Sequence, residues 1–317
     1  MHCSTTRQCA PRTSAEPDIS HHRGATLAVA ASLLSALLFG TTGTILVNAP
    51  NGADAYSVGC LRLAIGGVTL LALSGRSLRS ARLGGWHALG AVGVAVFQLG
   101  YFVAVERTGV AIGTVVTIGS GPALSGLIDA VRTRRAPAFT WLLGTTVSVA
   151  GVAMLGALGR SATADLSGIS LAVLAGLGWA TFSASAKHLI DTGEHSTVTM
   201  ATFFTGGAVL MAPFLTAHSP TWAGHPKGLI VALVLGVATV GIAYTSYGWA
   251  LRHLAAPTVI TLTLLEPITA SLLAAVVVHE GIRPIGWVGI VAVLAGLATT
   301  ARGALRSGST ATTTVAA

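Results

Sequence analysis

The chain has 317 residues, of which 52% are apolar and 9% charged, with a net charge of +8 and a mean hydropathy of +0.76. Soluble globular domains carry about 25% charged residues, so a water-soluble fold of this size could not coat its own surface; the solvent this composition fits is lipid. The basic excess does not mark a nucleic-acid binder, because Lys and Arg fall in short gaps between apolar runs, as they do in the loops of membrane proteins.

In chain order, residues 1–22 read as a disordered polar tail holding Cys3 and Cys9. Ten apolar runs follow, each close to the 20 or so residues a spanning helix needs: 25–47, 55–73, 86–105, 108–128, 137–158, 166–186, 197–216, 228–250, 254–277 and 284–301. They are too long and too uniformly apolar for barrel strands, which alternate over about ten residues. The first run exceeds the 7–15 residues of a signal-peptide core and is read as a mature helix. The seventh has a blurred end at Pro213, and residues 303–317 read as a second disordered tail. The expected fold is therefore an all-α membrane protein of ten transmembrane helices.

Ten spans put both termini on one side. Thirteen Lys and Arg residues fall on that side, four on the other, and Arg62 lies within a span, which accounts for all 18. The positive-inside rule then places both termini in the cytoplasm.

Shifted by 145 residues, the chain matches itself: Arg107 falls on Arg252, Pro122 on Pro267, Gly144 on Gly289 and Gly151 on Gly296, with Phe39-Gly40 over Trp179-Ala180 at a slightly different offset. The expected units are 23–160 and 161–302, of five helices each. An odd helix count makes the second unit enter from the opposite side, so the repeat is inverted. That is the architecture of many secondary transporters, whose substrate site lies near the midplane between halves.

Charged and polar residues in this layer are the candidates. Glu266 is the only acid deep in a span, roughly 15–20 Å from the inner end of its helix, and Arg62 lies at a similar depth. Together they could hold both ends of a zwitterion, or Glu266 could exchange substrate for a proton. The alternative is a structural ion pair, or a Glu satisfying backbone freed by Pro267. Gln98, Thr41 and Thr42 share that depth and could bond a substrate or simply pack between helices. Tyr101 and Trp179 are candidates to line a cavity. Tyr244 and Tyr247 are assigned to an interfacial aromatic belt. Pro122 and Pro267 are expected to break equivalent helices, a pointer to a transporter site. Asp165, Asp191, Glu194 and His195 read as solvated. No zinc spacing, phosphate loop or catalytic triad is found, so neither metal, cofactor nor enzymatic activity is expected.

The sequence also resembles the EamA-type repeats of the drug/metabolite transporter superfamily. The resemblance rests on Ala104-Val105, Thr108 to Ala111 and Pro122 in the first copy. In the second it rests on Trp249 to Leu251, Leu265-Glu266-Pro267, His279-Glu280 and Gly289 to Gly296, and Leu38 to Thr42 is similar to the family's first-helix segment. It implies a plasma-membrane secondary transporter that exports small metabolites such as amino acids, with a small-molecule substrate, protons and lipid as partners and a homodimer as one assembly. Efflux of lipophilic cations is the alternative within transport. An intramembrane enzyme is the rival outside it, though it would require a cluster of catalytic residues at one depth.

Overall fold

Hydrocarbon offers no partner for backbone N–H and C=O groups, so a chain dissolved in it must bond them within helices or a closed barrel. The computed structural model describes residues 19–156, 165–279 and 281–310, and every regular element among them is helical. The helices are α1 (Ile19–Leu46), α2 (Ala55–Ser74), α3 (Gly85–Gly109), α4 (Ile112–Thr133), α5 (Phe139–Gly156), α6 (Leu166–Asp191), α7 (Ser196–Met211), α8 (Pro226–Leu251), α9 (Ala256–Val277) and α10 (Pro284–Thr310). Nine are long and apolar enough to cross a membrane; α7, with 16 residues, is shorter. Glu280 of the sequence motif and the loop around Arg160 lie outside the described residues.

Local chemistry sets the ends. Asp54 caps α2 by accepting from the Tyr56 and Ser57 amides, and Asp165 caps α6 through the Ser167 amide. At Gly109 φ reaches 81°, a left-handed value that a Cβ would disfavour, and there α3 turns straight into α4. The α3–α4 hairpin closes so tightly that a Cβ on Gly113 would stand 2.9 Å from the Val105 backbone.

Three expectations need correction. The last helix runs to Thr310, so 303 does not begin a tail: Gly303 is buried against Thr140, and Ala304 packs on the core. At the other end, α1 begins at Ile19 rather than after 22. Pro122 does not break its helix, because Gly109 holds the only non-helical dihedrals between Gly85 and Thr133. Flanking Gly119 and Gly121 carry no side chains to crowd the ring, and Ser120 Oγ donates to the Thr117 carbonyl in the same turn.

Packing follows small residues. α5 and α10 cross antiparallel, backbone against backbone. A Cβ on Gly144 would meet the Gly296 carbonyl at 2.7 Å, and one on Gly151 would meet the Gly289 carbonyl at 2.6 Å. Between them Ser148 Oγ reaches Val293 O, a pair 145 residues apart. Shifting either glycine contact by 145 gives the other, and the Ser148–Val293 pair maps onto itself. α2 and α7 also pack antiparallel, Cys60 Sγ donating to Met211 O while Gly67 lies on Thr205. α1 packs against α8 and α9, and α6 packs against α3 and α4, the counterparts of those helices in the other half.

Among the described residues, one set of polar contacts lies at each end of the helices. At one end Asp54 meets His218 at 3.1 Å, Tyr56 bonds Glu106, Trp222 bonds Ser57, and Arg107 bonds Ser167. At the other, His87 pairs with Glu194 at 3.0 Å and Lys187 with Asp191 at 2.7 Å. Glu194 is thus not a solvated loop acid: it also accepts from Thr199, and its side chain is 17% exposed.

Candidate functional site

α9 is not a plain helix. Ala256–Leu262 is α-helical, Thr263–Leu265 tightens to a 3-10 turn, and Glu266–Leu273 resumes the α form, with Pro267 second in the new segment. Proline has no N–H to give and fits the first turn of a helix. The restart sets Glu266 at the head of that segment, facing inward. α1 lies directly on it: a Cβ on Gly40 would stand 2.5 Å from Thr269 Cβ and 2.8 Å from the Glu266 carbonyl. Thr41 and Thr42 follow Gly40 on α1, turned about 100° and 200° around its axis from the face that meets α9. Thr41 spends its proton on the Leu38 carbonyl at 2.7 Å, and both threonines are half-buried.

Arg62, Tyr101, Tyr244 and Glu266 lie within electrostatic reach of one another. Glu266 is half-buried. Arg62 is likewise half-buried. Its Nε donates to Thr239 Oγ1 at 3.0 Å. Among the described residues no carboxylate comes within 4.0 Å of Arg62, so the two opposite charges face the same interior without forming an ion pair.

Aromatic rings pack around this cluster. Tyr244 sits 4.1 Å from Phe204, 4.9 Å from Phe39 and 6.0 Å from Phe182. Phe97 links Phe182, Trp179 and Tyr101 at 6.3, 5.8 and 6.3 Å. The Tyr101 hydroxyl pairs with Thr114, and that of Tyr247 with Ser183. Trp179 is buried, its indole N–H beside Tyr247 but outside hydrogen-bond geometry, and its ring lies on Gly121, beside Pro122. Gln98 is level with Arg62, because α2 and α3 meet where Gly59 faces Phe102 and where Leu63 and Val94 share Gly207. Its amide nitrogen is buried without a partner among the described residues.

Of the expected residues, Glu266, Arg62 and Tyr101 lie near one another, Gln98 is level with Arg62, and Trp179 joins them through Phe97 with Pro122 behind it, while Thr41 and Thr42 lie on α1 just past its contact with α9. It corrects the assignment of Tyr244 and Tyr247 to an interfacial belt: both are buried in the core, at 4% and 0% exposure. Sequence reasoning also missed Thr239. Thr239 lies within a π-helical segment, Val237–Ile242, whose extra residue per turn offsets the helix faces on its two sides by about 100°. A separate cavity of about 680 Å³ opens at the end where α1 begins and α10 finishes. It is lined by Asp129, Arg135, Trp141 and His253, and does not include Glu266. Trp141 closes its deep side, donating to Thr261, which also pairs with Thr145.

Among the described residues, nine helices long and apolar enough to cross a membrane, with a tenth shorter one, define a multi-pass membrane protein. Residues 26–157 and 166–302 each match the EamA-like transporter family, and the chain belongs to that family. It is 32% identical over 269 residues to "Uncharacterized transporter YwfM" of Bacillus subtilis (strain 168), covering 84% of this chain and 90% of that one. An "Uncharacterized transporter" of Clostridium kluyveri is 26% identical over 139 residues, 44% of this chain and 45% of its own. One solved crystal structure superposes with a TM-score of 0.77 at 18% identity, covering 89% of this chain and 98% of that one, which bears on the fold.

Proposed function

We propose that the chain is a ten-span secondary transporter of two inverted five-helix repeats, exporting small metabolites such as amino acids across the plasma membrane by alternating access. The observation that carries this reading is the pair Arg62 and Glu266, oppositely charged side chains deep among the helices, near each other but not bonded to each other. A buried charge without a partner is costly, and a zwitterion offers both partners at once. The antiparallel α5–α10 and α2–α7 crossings, and contacts that map onto one another by the 145-residue shift, support the inverted repeat. The thirteen-to-four division of basic residues supports cytoplasmic termini. Lipophilic-cation efflux fits less well, since Arg62 would repel such a substrate. An intramembrane enzyme fits less well too, since the layer holds one carboxylate and no nucleophile–base pair.

The test is transport. Metabolite profiles of cells with and without the protein should identify a zwitterion that accumulates inside when the protein is missing. That compound should then enter proteoliposomes with the purified chain. As the deciding variant, Glu266→Gln keeps size and removes charge; it should abolish transport or uncouple it from pH while eluting as a monodisperse species. Full transport with unchanged pH dependence would refute both substrate and proton roles for Glu266.

A further inference from the structure

Thr239 stands at the middle of the π-helical segment of α8 and is fully buried. A threonine hydroxyl has one proton, and Thr239 gives it to the Leu235 carbonyl at 2.7 Å. Its oxygen is then left purely an acceptor, and Arg62 Nε donates to it at 3.0 Å. The direction of both bonds is thereby fixed. Small residues let α8 approach closely enough: Gly66 faces Val240, Gly236 faces Ile65, and a Cβ on Gly241 would stand 2.5 Å from Thr69 Cγ2. The two terminal NH2 groups of Arg62 have no acceptor among the described residues, and the guanidinium is half-buried beside the enclosed layer.

A guanidinium held at Nε cannot swing about its stem, and its terminal nitrogens present a planar fork that matches two oxygens of a carboxylate. We infer that Thr239 is the positioning residue of an anion site. The π segment turns its hydroxyl onto Arg62 Nε, so that the arginine's free end meets the carboxylate of the transported molecule. This rests on the reading of Arg62 as a substrate group and adds the residue that aims it. An unbroken α-helix would carry Thr239 about 100° around the axis relative to the residues on the other side of the segment, so the distortion and the hydroxyl act together.

The experiment uses the full chain in nanodiscs, with acetate and acetamide as probes, because a two-carbon carboxylate enters any site that admits a larger one. p-Hydroxyphenylglyoxal modifies arginine, and mass spectrometry of the peptide carrying Arg62 reads the rate. In the unaltered protein, acetate should slow modification of Arg62 and acetamide should not. In Thr239→Val, which keeps shape and removes the acceptor, the acetate concentration giving half protection should rise about tenfold, the scale of one hydrogen bond to a charged group. Thr239→Ser should restore it to within about twofold, a rescue that a packing role for the methyl group would not give. Thr239→Ala replaces the Val variant if the latter does not elute as a monodisperse species. Acetate protection undiminished in the folded Val or Ala variant overturns the positioning role alone. Failure of acetate to protect Arg62 in the unaltered protein overturns the anion site itself, and with it the Arg62 half of the proposed substrate pair.

Discussion

The α5–α10 crossing provides a quantitative test of the repeat. Alanine at Gly144, Gly151 or Gly289 would place a Cβ 2.6–2.7 Å from a backbone carbonyl on the opposing helix, and Gly296 faces the Gly144 carbonyl in the same way. Ordinary contact begins at 3.4 Å, so the substitutions are about 0.7–1.0 Å short of room. The obstacle is backbone, which no rotamer change can move aside, so the helices themselves must part. Overpacking of this kind costs about 1–3 kcal/mol. At about 2–4 °C per kcal/mol for a chain this large, each alanine should lower the melting midpoint by between about 2 and 12 °C. Because Gly144 and Gly289 are equivalent, as are Gly151 and Gly296, the members of each pair should fall by similar amounts. Gly43→Ala is the control, since nothing lies within 4 Å of its Cβ position and helix propensity favours alanine. Size-exclusion chromatography after graded heating in detergent measures all five. Losses at Gly144 and Gly151 without matching losses at Gly289 and Gly296, or none at all, would refute the reasoning.

Three further outcomes are expected. Beyond the loss of transport expected for Glu266→Gln, the layer should tolerate Glu266→Asp only with reduced affinity, as the shortened carboxylate retreats toward the α1 contact at Gly40; uptake kinetics in proteoliposomes measure it. In a background without Cys3, Cys9 and Cys60, cysteine at the open loop position Gly224 should react with impermeant maleimide on intact cells, and cysteine at Gly84 should not; the reverse pattern would overturn cytoplasmic termini. Burial alone would raise the Asp54 carboxyl, but bonds from the Ser57 hydroxyl and the Ser57 and Tyr56 amides, with His218 beside it, hold it below the usual value of 3.8. Its stabilising contribution is therefore complete above about pH 4 and lost as the pH falls through the lower folded value. Asp54→Asn should melt below the unaltered protein at pH 7, and the difference should close under about pH 4.

Much of this architecture could be read before any coordinates. The runs containing Arg62, Gln98 and Glu266 became helices because apolar length is a strong constraint in lipid. Counting residues from the helix ends then put those three at one depth. What counting could not reach was rotation about an axis. Tyr244 looked interfacial because it lies near the inner end of α8, and the rings that bury it, Phe39 and Phe204, come from other helices. Thr239 lies in a turn of π-helix that no distinctive residue in Val237–Ile242 encodes. Pro122 and Pro267 looked alike in sequence, yet only the second follows a 3-10 turn, because glycines flank the first and bulky Leu264 and Leu265 precede the second. Glu194 seemed solvated because its partner, His87, lies far away in sequence.

One consequence reaches beyond the protein itself. At 16 residues, α7 is about 24 Å long, some 6 Å short of a typical hydrocarbon core. Beyond it Ala212 and Pro213 keep right-handed helical dihedrals, a further helical turn follows at Phe214–Ala217, and Trp222 then tucks back against Ser57. Val209 and Leu210 are exposed, and His218, just past the last turn, meets Asp54. With that extension the segment from Ser196 to Ala217 reaches about 33 Å, enough for the hydrocarbon core. Matching the bilayer on this flank thus depends on the joint at Pro213, where the backbone gives up a donor.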